Sequence, residues 1–290
     1  MKEFFLVCEY NPEILKLLKG YSVVFYSNYF SILNSLKNDV KANNIHIHSV
    51  AIKTNTSLAD IIFEEKWNEY PLAIESLSLG RVYEFLVKTP VVRKLNIRFY
   101  LSTKESTCYK DVRILSSLGY PSSVIIEGER TDWKQLTDLM TYAFFNARKH
   151  AEIHPFNYIS NYYNPNNRTN FNSVYFNDPE RYLHINEKGN IFLNREDMLS
   201  NQNAVADLDS LHSIKELEAY INNKDKWFEF FLEPTRCASC KGWRICLGKY
   251  AKYLDSNPGC DTFFSEFIDS IEKEKTIREK RNQQLVLWQP

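Results

Sequence analysis

The sequence predicts an α/β fold in its first half and a small C-terminal module built around a metal centre. Short apolar runs alternate with helical patterns over roughly the first 150 residues, a rhythm typical of a parallel sheet with crossover helices. Four of the six cysteines lie between residues 237 and 260. We place the domain boundary after residue 165, which gives an α/β domain over 1–165 and a cysteine module over 166–290.

The strands of the first domain are predicted from runs that are rich in β-branched and aromatic residues. These runs are Phe4–Cys8, Ser22–Tyr26, Ile45–Ile52, Ile97–Leu101 and Ser123–Glu127. The helices are predicted from apolar residues at helical spacing, with capping or terminating residues at their ends. They are a segment from Pro12 to Gly20, Phe30–Leu36, Tyr109–Leu118 and a long helix capped by Asp132.

The second domain begins within a loop or linker, because residues 157–180 are crowded with asparagine. Tyr182–Leu193 is predicted to form a β-hairpin, since two apolar runs flank a short turn that contains glycine. A short helix is expected over Ser213–Asn222. An amphipathic helix with a charged face is expected from Phe263 to Arg281.

Composition narrows the classes of function. The chain has 36 Lys and Arg residues and 36 Asp and Glu residues. This balance leaves no excess positive charge for binding nucleic acid. No stretch approaches the about 20 apolar residues of a membrane helix, and the first residues do not resemble a signal peptide. We therefore expect a cytoplasmic protein, in which clustered cysteines favour metal binding over disulfides.

The clustered cysteines are Cys237, Cys240, Cys246 and Cys260, with the spacing C-x2-C-x5-C-x13-C. A C-x2-C turn directs two thiolates towards one centre, and two further thiolates complete a tetrahedral set. Four buried thiols or a disulfide pair are the structural alternatives. The spacing does not separate zinc from an iron–sulfur cluster, because four-cysteine sites hold both.

These residues resemble the SPASM domain, the auxiliary-cluster module of many radical SAM peptide-modifying enzymes. Its motif ends in C-x2-C-x5-C-x3-C, a gap and a final cysteine, and the four clustered cysteines match every position except the fourth, which is Tyr250. In the family the four matched positions bind one cluster. The resemblance therefore implies one [4Fe-4S] cluster on Cys237, Cys240, Cys246 and Cys260, with zinc as the alternative.

The second auxiliary cluster of that family has no counterpart in this sequence. Tyr182–Leu193 looks like the family's upstream hairpin, but it carries no cysteine. The first domain resembles a degenerate radical SAM partial βα barrel in its rhythm alone. Its two cysteines, Cys8 and Cys108, do not form the C-x3-C-x2-C signature, so no SAM binding is expected.

A SPASM module without a radical SAM motif resembles the SPASM component of grasp-with-spasm systems. The resemblance implies maturation of a ribosomally synthesised precursor peptide together with an ATP-grasp ligase. We expect a cluster-stabilised scaffold that presents the peptide to the ligase. A redox role for the cluster and a zinc-ribbon interaction protein are the alternatives. The catalytic residues, the precursor and the bond formed do not follow from the sequence.

Other motifs carry weaker signals, and each has a structural interpretation that we prefer. The two histidine pairs have no third metal ligand nearby in the sequence, so we do not expect them to bind a metal. The acidic loop after a predicted strand is expected to be a solvated turn. The isolated cysteines read as buried thiols. These residues are His46 with His48, His150 with His154, Glu127–Arg130, Cys8 and Cys108.

Overall fold

The computed structural model describes residues 4–166, 169–211 and 236–287, together with residues 213, 215 and 217. The chain forms two compact units, each built from two separate stretches. The first unit comprises Met1–Leu101 and Asn172–Phe230, and the second comprises Ser102–Phe171 and Phe231–Pro290. The boundary predicted after residue 165 falls inside the first stretch of the second unit.

The described residues contain ten strands and eight α-helices. The strands are β1 (Phe5–Glu9), β2 (Ser22–Ser27), β3 (His46–Lys53), β4 (Leu72–Ser76), β5 (Ile97–Ser102), β6 (Ser122–Ile125), β7 (Ile153–His154), β8 (Tyr182–Ile185), β9 (Asn190–Phe192) and β10 (Ala206–Asp207). The helices are α1 (Ile32–Asn43), α2 (Val82–Val92), α3 (Cys108–Ser117), α4 (Trp133–Phe145), α5 (Phe156–Tyr162), α6 (Arg195–Ser200), α7 (Trp243–Cys246) and α8 (Cys260–Leu287).

The first unit is a mostly parallel sheet in the order β10-β9-β8-β1-β2-β3-β4-β5. β1 to β5 run parallel, β8 joins β1 in parallel, and β9 and β10 complete an antiparallel edge. Val7 in β1 lies between Val24 in β2 and His184 in β8. All three side chains are fully buried, as expected for a parallel sheet that is covered on both faces. The predicted α/β class is confirmed.

The second unit packs helices around the short parallel pair β6 and β7. Helix α4 contacts α3, α5 and α8, and its apolar stripe supplies Leu136 and Met140 to the core. The predicted N-cap is confirmed, because the Asp132 carboxylate accepts a hydrogen bond from the Gln135 backbone N–H at 3.0 Å. Phe263 and Phe267 on α8 both lie against Phe156 on α5, so aromatic rings form much of this core.

Several predicted elements differ from the observed ones. The helix expected between Pro12 and Gly20 is a single 3₁₀ turn over Ile14–Lys16, because the chain reaches β2 at once through Gly20 at φ 79°. The Asn-rich stretch 157–180 is not a plain linker, since it holds most of α5 and a 3₁₀ turn over Phe171–Tyr175. Apolar residues between the asparagines explain this, with Ile159 and Val174 both buried. The hairpin is confirmed as β8 and β9.

The helix predicted over Ser213–Asn222 lies outside the residues that the structure describes, apart from three positions. In the described part of the chain, no helix combines the length and apolar character that crossing a membrane requires.

His184 is a buried titratable group in the sheet of the first unit. Among the described residues, neither ring nitrogen has a partner with hydrogen-bonding geometry. Burial, and secondly the positive charge of Arg195, lower the pKa of His184 to about 3, against a smaller opposing effect of the Phe176 backbone. His184 is therefore neutral in the folded protein at every physiological pH.

We expect His184 to make the protein sensitive to mild acid. The unfolded chain binds a proton near pH 6.5, whereas the folded chain does so only near pH 3. Stability is therefore lost as pH falls through this window, by at most about 1.4 kcal/mol per pH unit. Urea unfolding at pH 7.5 and 5 should show a smaller loss for His184→Leu than for the wild type. The exposed control His46→Gln should behave like the wild type, and an unchanged loss in His184→Leu would contradict the assignment.

Candidate metal centre

The four clustered cysteines lie on or next to three elements of the second unit. Cys237 lies in a 3₁₀ turn over Arg236–Ser239, and Cys240 follows it directly. Cys246 is the last residue of α7, and Cys260 is the first residue of α8. All four line one cavity. The structure thus places these residues, which are up to 23 positions apart in sequence, in the wall of one cavity.

Local backbone geometry favours a thiolate at Cys246. Leu247 and Gly248 both adopt left-handed conformations, at φ 57° and 71°, and so turn the chain sharply after α7. The backbone N–H groups of Tyr250 and Gly248 donate towards the Cys246 sulfur and partly offset the rise in its pKa that burial causes. Such N–H donors stabilise a charged sulfur, as the surroundings of a metal-bound thiolate must.

Without a bound ion, burial keeps the thiols of Cys237, Cys246 and Cys260 protonated. Burial, together with neighbouring thiols, raises the pKa of Cys246 to about 11 and that of Cys260 to about 12. The pKa of Cys237 is raised for the same two reasons, with burial first and Cys240 second. Metal binding at this site must therefore release protons, and the positive ion replaces them as the group that offsets the sulfur charge.

The donor set fits a thiolate-bound metal, although the side chains do not stand in a closed coordination geometry. Among the described residues, no three or more Cys, His, Asp or Glu side chains are grouped closely enough to hold an ion. Inside the cavity, the centre of a water molecule can move through a volume of about 20 Å³. This volume corresponds to one small occupant.

Aromatic rings form one wall of the site, and the sequence did not reveal them. Tyr250 is 1% exposed, and its ring lies parallel to that of Phe264 with 5.7 Å between the centroids. Trp133 meets Tyr250 edge-on at 5.6 Å. Phe264 itself lines the cysteine cavity. The position where the SPASM motif has cysteine is thus a fully packed core residue in this protein.

Gly242 is required between the second and third cysteines because α8 approaches it closely. A Cβ atom at this position would meet the Phe264 Cβ atom and lie 3.2 Å from the Phe264 backbone. We expect Gly242→Ala to lower the free energy of unfolding by about 1–3 kcal/mol through overpacking, and to reduce metal content. The neighbouring exposed variant Lys241→Ala is the control, and equal metal content in both variants would contradict this expectation.

The histidine pairs are not assembled into a site. His48 lies against Phe5 with ring centroids 4.2 Å apart, and burial lowers its pKa. His150 is within 3.1 Å of the Ser116 hydroxyl, while His154 is within 3.4 Å of the Glu152 carboxylate. Each histidine therefore has its own local contact.

The two isolated cysteines and the acidic loop also have structural surroundings. Cys8 and Cys108 are completely buried, and burial raises the pKa of each thiol. The loop Glu127–Arg130 forms a 3₁₀ turn at the end of β6, where Glu127 lies 3.5 Å from Lys104. All six cysteines of the chain are free thiols in the structure.

A scan against protein-family models and a search of curated proteins each found no match to this chain. What the site does is therefore inferred from its own residues.

Proposed function

We propose that this chain is a metal-centred scaffold protein of ribosomal peptide maturation, in which Cys237, Cys240, Cys246 and Cys260 hold one [4Fe-4S] cluster. The observation that carries the proposal is that these four cysteines line a single cavity. The choice of cluster and of partners, a precursor peptide and an ATP-grasp ligase, follows the resemblance of the cysteine pattern to the SPASM domain. The same resemblance implies that the parallel strands of the first unit correspond to a degenerate radical SAM partial barrel, here in the form of an open sheet.

The donor set supports a structural centre over a catalytic one. Four protein thiols fill four ligand positions, so no position remains open for a substrate or for water. When bound, the metal centre supplies positive charge that offsets buried thiolates, and hence folding free energy. The chain's own residues orient it: the backbone N–H groups of Gly248 and Tyr250 point towards one sulfur, and Phe264 closes the cavity on one side.

The first unit gives independent support for a scaffold. In open parallel sheets, ligands bind beyond the carboxyl ends of the strands. Near those ends the hydroxyl of Tyr26 donates to the Tyr175 carbonyl at 3.3 Å, and that of Tyr100 donates to the Val174 carbonyl at 3.1 Å. The chain's own segment thus occupies part of the place where a substrate would bind, and Val174 is buried there.

An exposed apolar stripe on α2 is compatible with a protein partner. Tyr83 and Val87 are 84% and 80% exposed, and Leu86 and Pro90 lie on the same helical face. Exposed apolar surface of this kind is typical of protein-interaction sites. Arg81 and Glu84 pair at 3.0 Å at the start of the same helix.

The zinc-ribbon alternative rests on one specific observation. The four thiols that line the cavity form a complete four-cysteine ligand set for a single zinc ion. A zinc site with four cysteine ligands would serve the same structural purpose without any redox property. Metal analysis of the purified protein separates the two candidates.

Reconstitution tests the scaffold role. The partner ligase would be assayed on its precursor peptide with the wild-type protein, with the Cys246→Ser variant, and with neither. We expect modification to depend on the wild-type protein and to fall to the level of the ligase alone with the variant. Equal modification in all three reactions would exclude the scaffold role.

A further inference from the structure

The segment that leads into Cys260 is anchored on the loop after β6. The side-chain amide of Asn257 donates to the carbonyls of Gly128 and Thr131, at 2.7 and 2.8 Å. The indole N–H of Trp133 donates to the backbone carbonyl of Asn257 at 3.2 Å. One residue, three positions before a proposed ligand, therefore makes three hydrogen bonds to a stretch more than 120 residues away in sequence.

Close packing at two glycines restricts the conformation of this anchor. A Cβ atom at Gly128 would lie 2.8 Å from the Tyr250 ring and would also meet Tyr253. A Cβ atom at Gly259 would lie 2.9 Å from the Trp133 ring, and Gly259 has φ 125°, which favours glycine. The cysteine segment and the β6 loop therefore approach each other at two points where only glycine fits without displacement.

The loop after β6, residues 127–131, is called the β6 loop here, and hydrogen bonds within its own unit hold it in place. The Thr131 hydroxyl donates to the Glu127 carbonyl at 2.9 Å and lies 3.0 Å from the Thr103 hydroxyl. The Thr103 hydroxyl in turn accepts a hydrogen bond from the Glu127 backbone N–H at 2.9 Å. Both Thr103 and Thr131 are buried. Asn257 thus joins the segment before Cys260 to a rigid support, not to a free surface loop.

We propose that Asn257 is a positioning residue for the metal centre, and that it couples the centre to the loop Glu127–Thr131. The inference rests on the proposed metal site. By holding residues 257–260 on the loop, Asn257 fixes the start of α8 and the Cys260 sulfur before the metal binds. Because coupling is reciprocal, metal binding must in turn stabilise the loop. Metal loading is thereby communicated to the carboxyl end of β6.

The plain alternative is that Asn257 is an ordinary turn residue that matters for stability alone. The two views differ in one respect. A turn residue changes the overall free energy of unfolding but does not make hydrogen exchange in the β6 loop depend on the metal. A positioning residue changes metal affinity and removes that dependence.

The test uses the full chain with Zn²⁺ alone as the probe, titrated in competition with a chromophoric chelator. Asn257→Asp keeps the side-chain shape but places a carboxylate oxygen where the amide donates to two carbonyls. We expect its Zn²⁺ affinity to be about 10–100-fold below that of the wild type, the usual effect of losing a residue that orients metal ligands. The adjacent exposed control Ser256→Ala should bind like the wild type.

Hydrogen exchange gives the second readout. Amides of residues 127–131 should exchange more slowly with Zn²⁺ bound in the wild type, and this metal-dependent change should be lost in Asn257→Asp. Trp133→Phe removes the indole donor and part of the ring but keeps both side-chain hydrogen bonds of Asn257, so it should show a smaller loss of affinity in the same direction, even if Asn257→Asp folds poorly. Wild-type affinity and wild-type exchange in both variants would overturn the inference, whereas a wild type that binds neither Zn²⁺ nor an iron–sulfur cluster would overturn the proposed function itself.

Discussion

Replacing Cys246 or Cys260 with serine is expected to abolish metal binding and to unfold the segment around residues 236–260. Both side chains are buried, at 9% and 6% exposure, in a cavity that holds four thiols and little else that is polar. Structural four-ligand sites supply apparent binding free energies of about 10–16 kcal/mol. We therefore expect the removal of one ligand to cost more free energy than the change in packing at the same position.

The measurement is the metal-to-protein ratio of each variant, with near-ultraviolet circular dichroism to report on the aromatic wall. Matched controls exist within the chain, since Cys8→Ala and Cys108→Ala also remove a buried thiol. These controls should keep the wild-type metal ratio. Full metal content in Cys246→Ser and Cys260→Ser, or its loss in the controls, would contradict the assignment of the site.

Tyr250→Cys is expected to lower the free energy of unfolding by about 3–5 kcal/mol, the usual cost of truncating a large core aromatic. It should also add no iron. Tyr250 stacks on Phe264, meets Trp133 edge-on, and directs its hydroxyl towards the Ile126 carbonyl at 3.5 Å. A cysteine fills little of that volume and leaves a cavity between the three rings. Restoring the SPASM motif at this position therefore disrupts the core and does not recreate a second cluster.

Chemical unfolding of the metal-loaded protein tests this expectation, with Tyr250→Phe as the matched control. The control keeps the ring and removes only the hydroxyl, so it should cost about 1 kcal/mol. Iron content is measured on the same samples. A stable Tyr250→Cys variant with additional iron would show that the position is a lost ligand and not a settled core residue.

The strands were predictable where apolar runs are short and well bounded. β1, β2, β3 and β5 lie within one or two residues of their predicted limits, and Asp132 caps α4 as predicted. β4 was missed because Leu72–Ser76 is short and begins directly after a proline. α2 was missed because its exposed face carries apolar side chains and its interior contains Pro90, so the usual helical pattern is hidden.

Cysteine spacing predicted which residues line the candidate site, but not the residues that hold them in place. The spacing carries this signal because cysteines within one short segment can reach a common cavity. Trp133 and Asn257 carry no such signal, since their contact spans 124 positions and depends on how α4 and the cysteine segment pack. The Asn-rich stretch was misinterpreted for the same reason. The hydroxyls of Tyr26 and Tyr100 donate hydrogen bonds to its carbonyls, and composition does not encode these contacts.

Metal analysis of the anaerobically purified full-length chain tests the central claim most directly. The proposal predicts about four iron ions per chain with matching acid-labile sulfide and visible charge-transfer absorption, all lost in Cys246→Ser. One zinc ion per chain without iron would establish the zinc scaffold instead. A carefully purified wild type that contains neither iron nor zinc would contradict the existence of a metal centre and, with it, the peptide-maturation role.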